Sequence, residues 1–138
     1  MKVGIALSGG GIRGIAHAGV LQALAERGIK PDIVGGTSCG SLIACMYAMG
    51  YEPYHIYILF KRYAKLISKV NSIPIISGIK SCIFKKGISF SGLNSGDRME
   101  ELCNGVAQRR GINKLEDIKM PVVIPTVDMI KRKRGGIY

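Results

Sequence analysis

The chain has 138 residues, 47% of them hydrophobic and 21% charged, with 19 glycines gathered at segment ends. Such a composition suits one globular domain and excludes disordered, collagen-like and linker-like chains. A formal net charge of +11, from 20 Lys and Arg against 9 Asp and Glu, favours an anionic partner. No zinc-finger, helix-turn-helix or RNA-recognition pattern accompanies it, so nucleic acid rests on charge alone and is not expected as a partner.

Val3 to Leu7 is an apolar run entering Ser8-Gly9-Gly10-Gly11, as a buried strand ending in a glycine loop would. From Ile12 to Arg27 the apolar and small residues recur at three and four, predicting a helix that Gly28 stops. Ile33 to Gly36 reads as a second strand, and Cys39 to Met49 as a second helix closed by Gly50. Tyr54 to Val70 is amphipathic, with Ile56, Leu59, Tyr63, Leu66 and Val70 along one face.

Residues Ser72 to Gly92 read as a loop, a candidate lid or substrate-approach segment. Gly96 to Arg110, capped by Asn94 or Ser95 and stopped by Gly111, is a further helix. Pro121 to Met129 is rich in β-branched residues and predicts a third strand, followed by a basic hairpin turn through Lys131 to Tyr138. Strand, glycine turn, helix, strand, sharp turn, helix is the order of an α/β fold with a parallel sheet.

Gly36-Thr37-Ser38-Cys39-Gly40 is a G-x-S-x-G pentapeptide between a predicted strand and a predicted helix, the context of a nucleophile elbow. Tight turning requires nearly side-chain-free neighbours, here Gly36 and Gly40, and lifts Ser38 to the end of the following helix. The competing reading is a serine that only caps that helix. Cys39 is the rival nucleophile, but the elbow presents its central position.

The loop Gly9-Gly10-Gly11-Ile12-Arg13-Gly14 offers successive unobstructed N–H groups at a helix start, an anion cradle to which Arg13 adds charge. It also fits the dinucleotide pattern G-x-G-x-x-G. That reading expects an acidic residue at the far end of the second strand. The far end holds Thr37 and Ser38, and Asp32 lies before the strand.

Only two histidines are present, His17 inside the small-residue helix and His55 at the start of the amphipathic one. Neither occupies a loop after a late strand, so a Ser-His-Asp triad is poorly served and a carboxylate base is expected. The four cysteines, Cys39, Cys45, Cys82 and Cys103, show no C-x-x-C spacing. They read as free thiols of a reducing cytosol, with no metal site. Without a signal-like stretch at Met1 or an apolar run of about 18 residues, the expectation is a cytoplasmic protein whose membrane contact is peripheral.

Taken together, G-G-G-x-R-G after the first strand and G-x-S-x-G some two dozen residues later resemble the patatin-like phospholipases, with looser similarity over Ser95 to Met129. The resemblance implies a three-layer α/β/α fold with a mostly parallel central sheet, a Ser–Asp dyad, no metal or other cofactor, and lipid acyl esters as substrates. Ser38 then matches the nucleophile. Gly9, Gly10, Gly11, Arg13 and Gly14 match the oxyanion loop, and the Cys39 N–H is a further candidate donor. The family's aspartate lies in an Asp-Gly-Gly or Asp-Gly-Ala turn, and Asp32, Asp97, Asp117 and Asp128 are followed by Ile, Arg, Ile and Met. The expectation is that residues 1–138 form the N-terminal part of one such domain, with the dyad aspartate beyond them. Asp128 is the one internal substitute.

Overall fold

The two apolar runs before the glycine motifs become parallel neighbours, β1 (Gly4–Leu7) and β2 (Ile33–Gly36), paired from Gly4 opposite Ile33 to Leu7 opposite Gly36. The structure, a computed structural model, describes residues 2–70, 96–128 and 133–134. A third strand, β3 (Val122–Val123), lies parallel on the other side of β2, giving the order β1-β2-β3. Pleating alternates the side chains: Leu7, Val34 and Gly36 are buried, whereas Gly4, Ala6 and Ile33 are exposed.

The described helices are α1 (Ala16–Glu26), α2 (Cys39–Ala48), α3 (Pro53–Val70) and α4 (Gly96–Gln108). Crossovers between parallel strands are right-handed, and two that step the same way along a sheet place their helices on the same face. Accordingly α2 packs on all three parallel strands, and α1, α3 and α4 pack against α2. One apolar core results, with Leu21, Ile43, Ile56 and Val34 at its fully buried centre. The parallel α/β architecture expected from the sequence is the one observed. Among the described residues the face bearing Gly4, Ala6 and Ile33 carries no helix.

Glycine ends the helices as the sequence predicts. Gly28, at φ 71°, lets its own N–H reach the Ala25 carbonyl and that of Ile29 reach the Leu24 carbonyl, each at 2.9 Å. This pair of bonds is the Schellman closure, and Gly50 and Gly111 close α2 and α4 in the same way. The start of α1 differs from expectation. Gly11 to Ile15 form a 3-10 turn, and the α-helix begins only at Ala16. Gly11 enters this turn at φ 55°, and the tighter winding lets Gly14 lie against Cys39.

The predicted third strand is also divided. β3 stops at Val123, and Val127–Asp128 (β4) pairs antiparallel with Lys133–Arg134 (β5) as a separate basic hairpin. Pro125 stands between the two pieces, where its missing N–H cannot extend the ladder. The expected lid at Ser72–Gly92, the Asn94 or Ser95 cap and Cys82 lie outside the described residues. No described helix is long and apolar enough to cross a membrane.

Tyr51 ties the end of α2 to α4. Its buried hydroxyl donates to the Val106 carbonyl at 2.8 Å, and the Arg110 guanidinium lies 4.4 Å from its ring centroid. Beside this tie, burial and the neighbouring Cys103 push the Cys45 thiol up to about 11. Replacing Ile43, which is 0% exposed, by Ala should cost about 2–5 kcal/mol in denaturant unfolding. Tyr51→Phe should cost about 1 kcal/mol. In native protein between pH 7 and 8, iodoacetamide should modify Cys45 about a hundredfold more slowly than a thiol of ordinary pKa, since each pKa unit is tenfold in thiolate. Mass spectrometry at that residue reads the rate.

Candidate active site at the carboxyl edge of the sheet

At the end of β2 the chain turns into α2 almost without side chains. A Cβ on Gly36 would overlap the Gly40 backbone, and one on Gly40 would overlap the Leu7 carbonyl oxygen and lie 2.7 Å from the Ser8 oxygen. The Thr37 N–H donates to the Leu7 carbonyl at 3.0 Å, stitching the elbow to the end of β1. Ser38 is forced to φ 51°, ψ −126°, and among the described residues it alone combines a side chain with positive φ. Backbone of this kind costs about 1–3 kcal/mol and persists only where its surroundings impose it.

Ser38 is exposed, and its side chain makes no capping bond to α2. A capping serine has extended backbone angles and accepts an N–H from the first helical turn, so the capping alternative fails on both counts. The Ser38 carbonyl, by contrast, is held from within the helix, accepting the Ser41 hydroxyl at 2.5 Å and the Ser41 N–H at 3.0 Å.

The first glycine loop reaches the same point. A Cβ on Gly9 would stand 3.3 Å from Ser38 Cβ and 3.8 Å from Thr37 Oγ1. Gly9, Gly10 and Gly11 are exposed, and neither their N–H groups nor that of Cys39 have a backbone acceptor among the described residues. Arg13 is exposed beside the loop, and its N–H donates to the Gly10 carbonyl at 3.1 Å. Gly14 plays a different part from its neighbours. It is buried, and a Cβ there would overlap Cys39 Sγ. The thiol of Cys39 is turned into the core at 6% exposure, 3.9 Å from the Ser8 carbonyl.

His17 has a role that the sequence did not reveal. Its Nε2 lies 2.9 Å from the Ser8 carbonyl, nine residues away. A carbonyl only accepts, so Nε2 carries the proton and His17 braces the entry of the glycine loop. No periodicity signals such a bond, which depends on the loop doubling back over α1. His55 is exposed on α3.

The two aspartates whose side chains are described both hold backbone N–H groups. Asp32 accepts the Val3 N–H at 2.7 Å where β1 begins, the opposite edge of the sheet from the elbow. The dinucleotide reading therefore lacks its acidic contact. Asp117 accepts the N–H groups of Asn113 and Lys114 at 3.0 and 2.9 Å. Asp128 falls in β4, outside the parallel sheet, and the side chains of Asp97 and Asp128 lie outside the described residues. Among the described residues no three His, Cys, Asp or Glu side chains converge as metal ligands would.

The sequence also resembles curated proteins over part of its length. It is 42% identical over 92 residues to a lysophospholipase NTE1 of Candida albicans, covering 62% of this chain and 7% of that protein. It is 47% identical over 68 residues to the lysophospholipase NTE1 of Saccharomyces cerevisiae, covering 49% of this chain and 4% of the relative. The chain thus spans only a small part of the length of the relatives it matches. The family model for patatin-like phospholipases matches residues 5–122, which takes in all of β1 but Gly4, both glycine motifs, the four described helices and the start of β3. On that match, and with the two motifs meeting at one sheet edge, the chain belongs to the patatin-like phospholipase family.

Proposed function

We propose that this chain carries the nucleophile and oxyanion half of a serine lipid acyl hydrolase, with Ser38 as the attacking residue. The strained, exposed Ser38 backbone facing the Gly9 loop is the observation that carries the reading. The Ser38 hydroxyl gives its proton to a carboxylate base, and its oxygen bonds to the substrate's acyl carbon. The resulting oxyanion takes hydrogen bonds from the N–H groups of Gly10, Gly11 and Cys39, at the positive end of α2. Collapse breaks the acyl–oxygen bond, and the leaving alcohol takes the proton. Water then attacks the acyl-serine, releasing the fatty acid and restoring the serine.

Histidine does not suit the base. His17 is committed to Ser8, and His55 is exposed on α3. A Ser–Asp dyad, as in the family, is the reading we favour, with the aspartate outside residues 1–138. Lysophospholipase relatives support lysophospholipids or related acyl esters as substrates, and the charge of +11 suits an anionic membrane surface.

In the full-length gene product, Ser38→Ala should lower ester turnover at least about ten-thousandfold. It should also abolish labelling by a fluorophosphonate, and a label that survives the substitution removes Ser38 from the role. His17→Ala should lower kcat about ten- to a hundredfold with little change in KM, because the loop donors shift while binding surface remains. His17→Gln places an amide N–H near the same point and should recover most of the loss. Equal damage from both variants would show that the brace at Ser8 is irrelevant to turnover.

A further inference from the structure

A single peptide group joins Ser38 to Cys39 at the start of α2, with the Ser38 carbonyl at one end and the Cys39 N–H at the other. A peptide unit is planar and trans, so these two groups point in opposite directions. The Ser38 carbonyl points into α2, where it accepts the Ser41 N–H at 3.0 Å and the Ser41 hydroxyl at 2.5 Å. The Cys39 N–H therefore points out of the helix start. The next two N–H groups are consumed within the turn, Gly40 donating to the Thr37 carbonyl at 2.9 Å and Ser41 to Ser38. Among the described residues the Cys39 N–H has no backbone acceptor.

Rotation about the Ser38 Cα–C bond, its ψ angle, turns this peptide as one rigid plate. Ser38 holds φ 51° and ψ −126°, a combination that a residue with a side chain leaves when it is free to do so. Any such relaxation in ψ swings the Cys39 N–H with it. From within the helix, Ser41 opposes the swing with two donors on one carbonyl. Helical serines commonly bond back to a carbonyl one turn earlier, and alone that bond carries no function. Here the carbonyl belongs to the peptide whose N–H is a candidate oxyanion donor. The hydroxyl fixes the plane of that peptide and also polarises it, which strengthens the N–H as a donor by about 10–30%.

We infer that Ser41 is a positioning residue for acyl transfer at Ser38: its hydroxyl, by holding the Ser38 carbonyl, aims and strengthens the Cys39 N–H. The assignment rests on the hydrolase reading above and adds a residue that acts only through the peptide between Ser38 and Cys39. Its benefit falls on the tetrahedral state, where charge develops on the acyl oxygen, and not on the bound ester. Ala at position 41 keeps the backbone N–H and removes only the hydroxyl, so the oxyanion donor stays but is less well aimed. Loss of a whole oxyanion donor lowers kcat about a hundred- to a thousandfold, and a misaimed donor should cost less, about tenfold.

The test uses the full-length gene product, p-nitrophenyl butyrate as substrate and an alkyl trifluoromethyl ketone as reversible inhibitor. Ser38 Oγ bonds to the ketone carbon, the carbonyl π pair moves onto oxygen and the serine proton passes to the base, so the adduct carries an oxyanion. Ser41→Ala should lower kcat about tenfold with KM within about twofold, and should weaken the ketone by the same factor as kcat/KM. Ser41→Thr keeps a hydroxyl on Cβ and should recover most of both losses. Ser41→Cys, of similar size but with only a weak donor, should behave like Ser41→Ala and replaces it if that variant does not fold. Unchanged kcat in Ser41→Ala, a loss confined to KM, or equal losses in Ser41→Ala and Ser41→Thr each overturn the assignment. Fluorophosphonate labelling that persists in Ser38→Ala would sink the nucleophile, and the role of Ser41 with it. Labelling lost in Ser38→Ala beside full turnover in Ser41→Ala removes Ser41 alone and leaves the nucleophile standing.

Discussion

The architecture depends on a place where three backbones meet with no side chain between them. The first turn of α2 crosses the ends of β1 and β2 so closely that Gly40 abuts the Leu7 and Ser8 carbonyls and Gly36 abuts Gly40. On the other side Gly14 lets the Cys39 thiol into the core. Because protein interiors are close-packed, even one methyl group at such a crossing must move an element. The crossing sets the axis of α2, and α2 is the helix on which the parallel sheet and the other three described helices all pack.

From that crossing follows the state of Ser38. A residue at φ 51°, ψ −126° would relax if it could. It is prevented because Thr37 before it is bonded to Leu7, while Ser38's own carbonyl is held by Ser41. Strain is thus paired with exposure: the backbone is fixed on both sides and the hydroxyl is left outside. The glycine loop is tied to the same framework at the Ser8 carbonyl, which meets the His17 ring, the Cys39 thiol and the Gly40 backbone. One oxygen therefore coordinates the positions of the loop and the elbow, and neither can shift without the other.

Much of this was legible in the sequence, for reasons that particular residues make plain. Gly36 and Gly40 flank a serine between an apolar run and a helical pattern, and only a tight strand-to-helix turn needs that arrangement. Gly28, Gly50 and Gly111 marked helix ends because the left-handed cap is a local requirement. What escaped was set by tertiary contact. The 3-10 turn before Ala16 depends on Gly14 reaching Cys39, and both lie in segments whose local pattern reads simply as helix. Ile124 to Thr126 has the β-branched residues of a strand, and Pro125 outweighs them. His17 looked like a packed helix residue because its partner sits on a loop that folds back over it.

The histidine count bears on the chemistry as well as on the fold. A triad needs an imidazole free to accept the serine proton on one nitrogen and to be oriented through the other. The Nε2 of His17 is already a donor to Ser8, so using it as a base would release the entry of the glycine loop. A carboxylate avoids that conflict, since it needs no orienting partner and can approach Ser38 Oγ from the solvent side, where the hydroxyl is open.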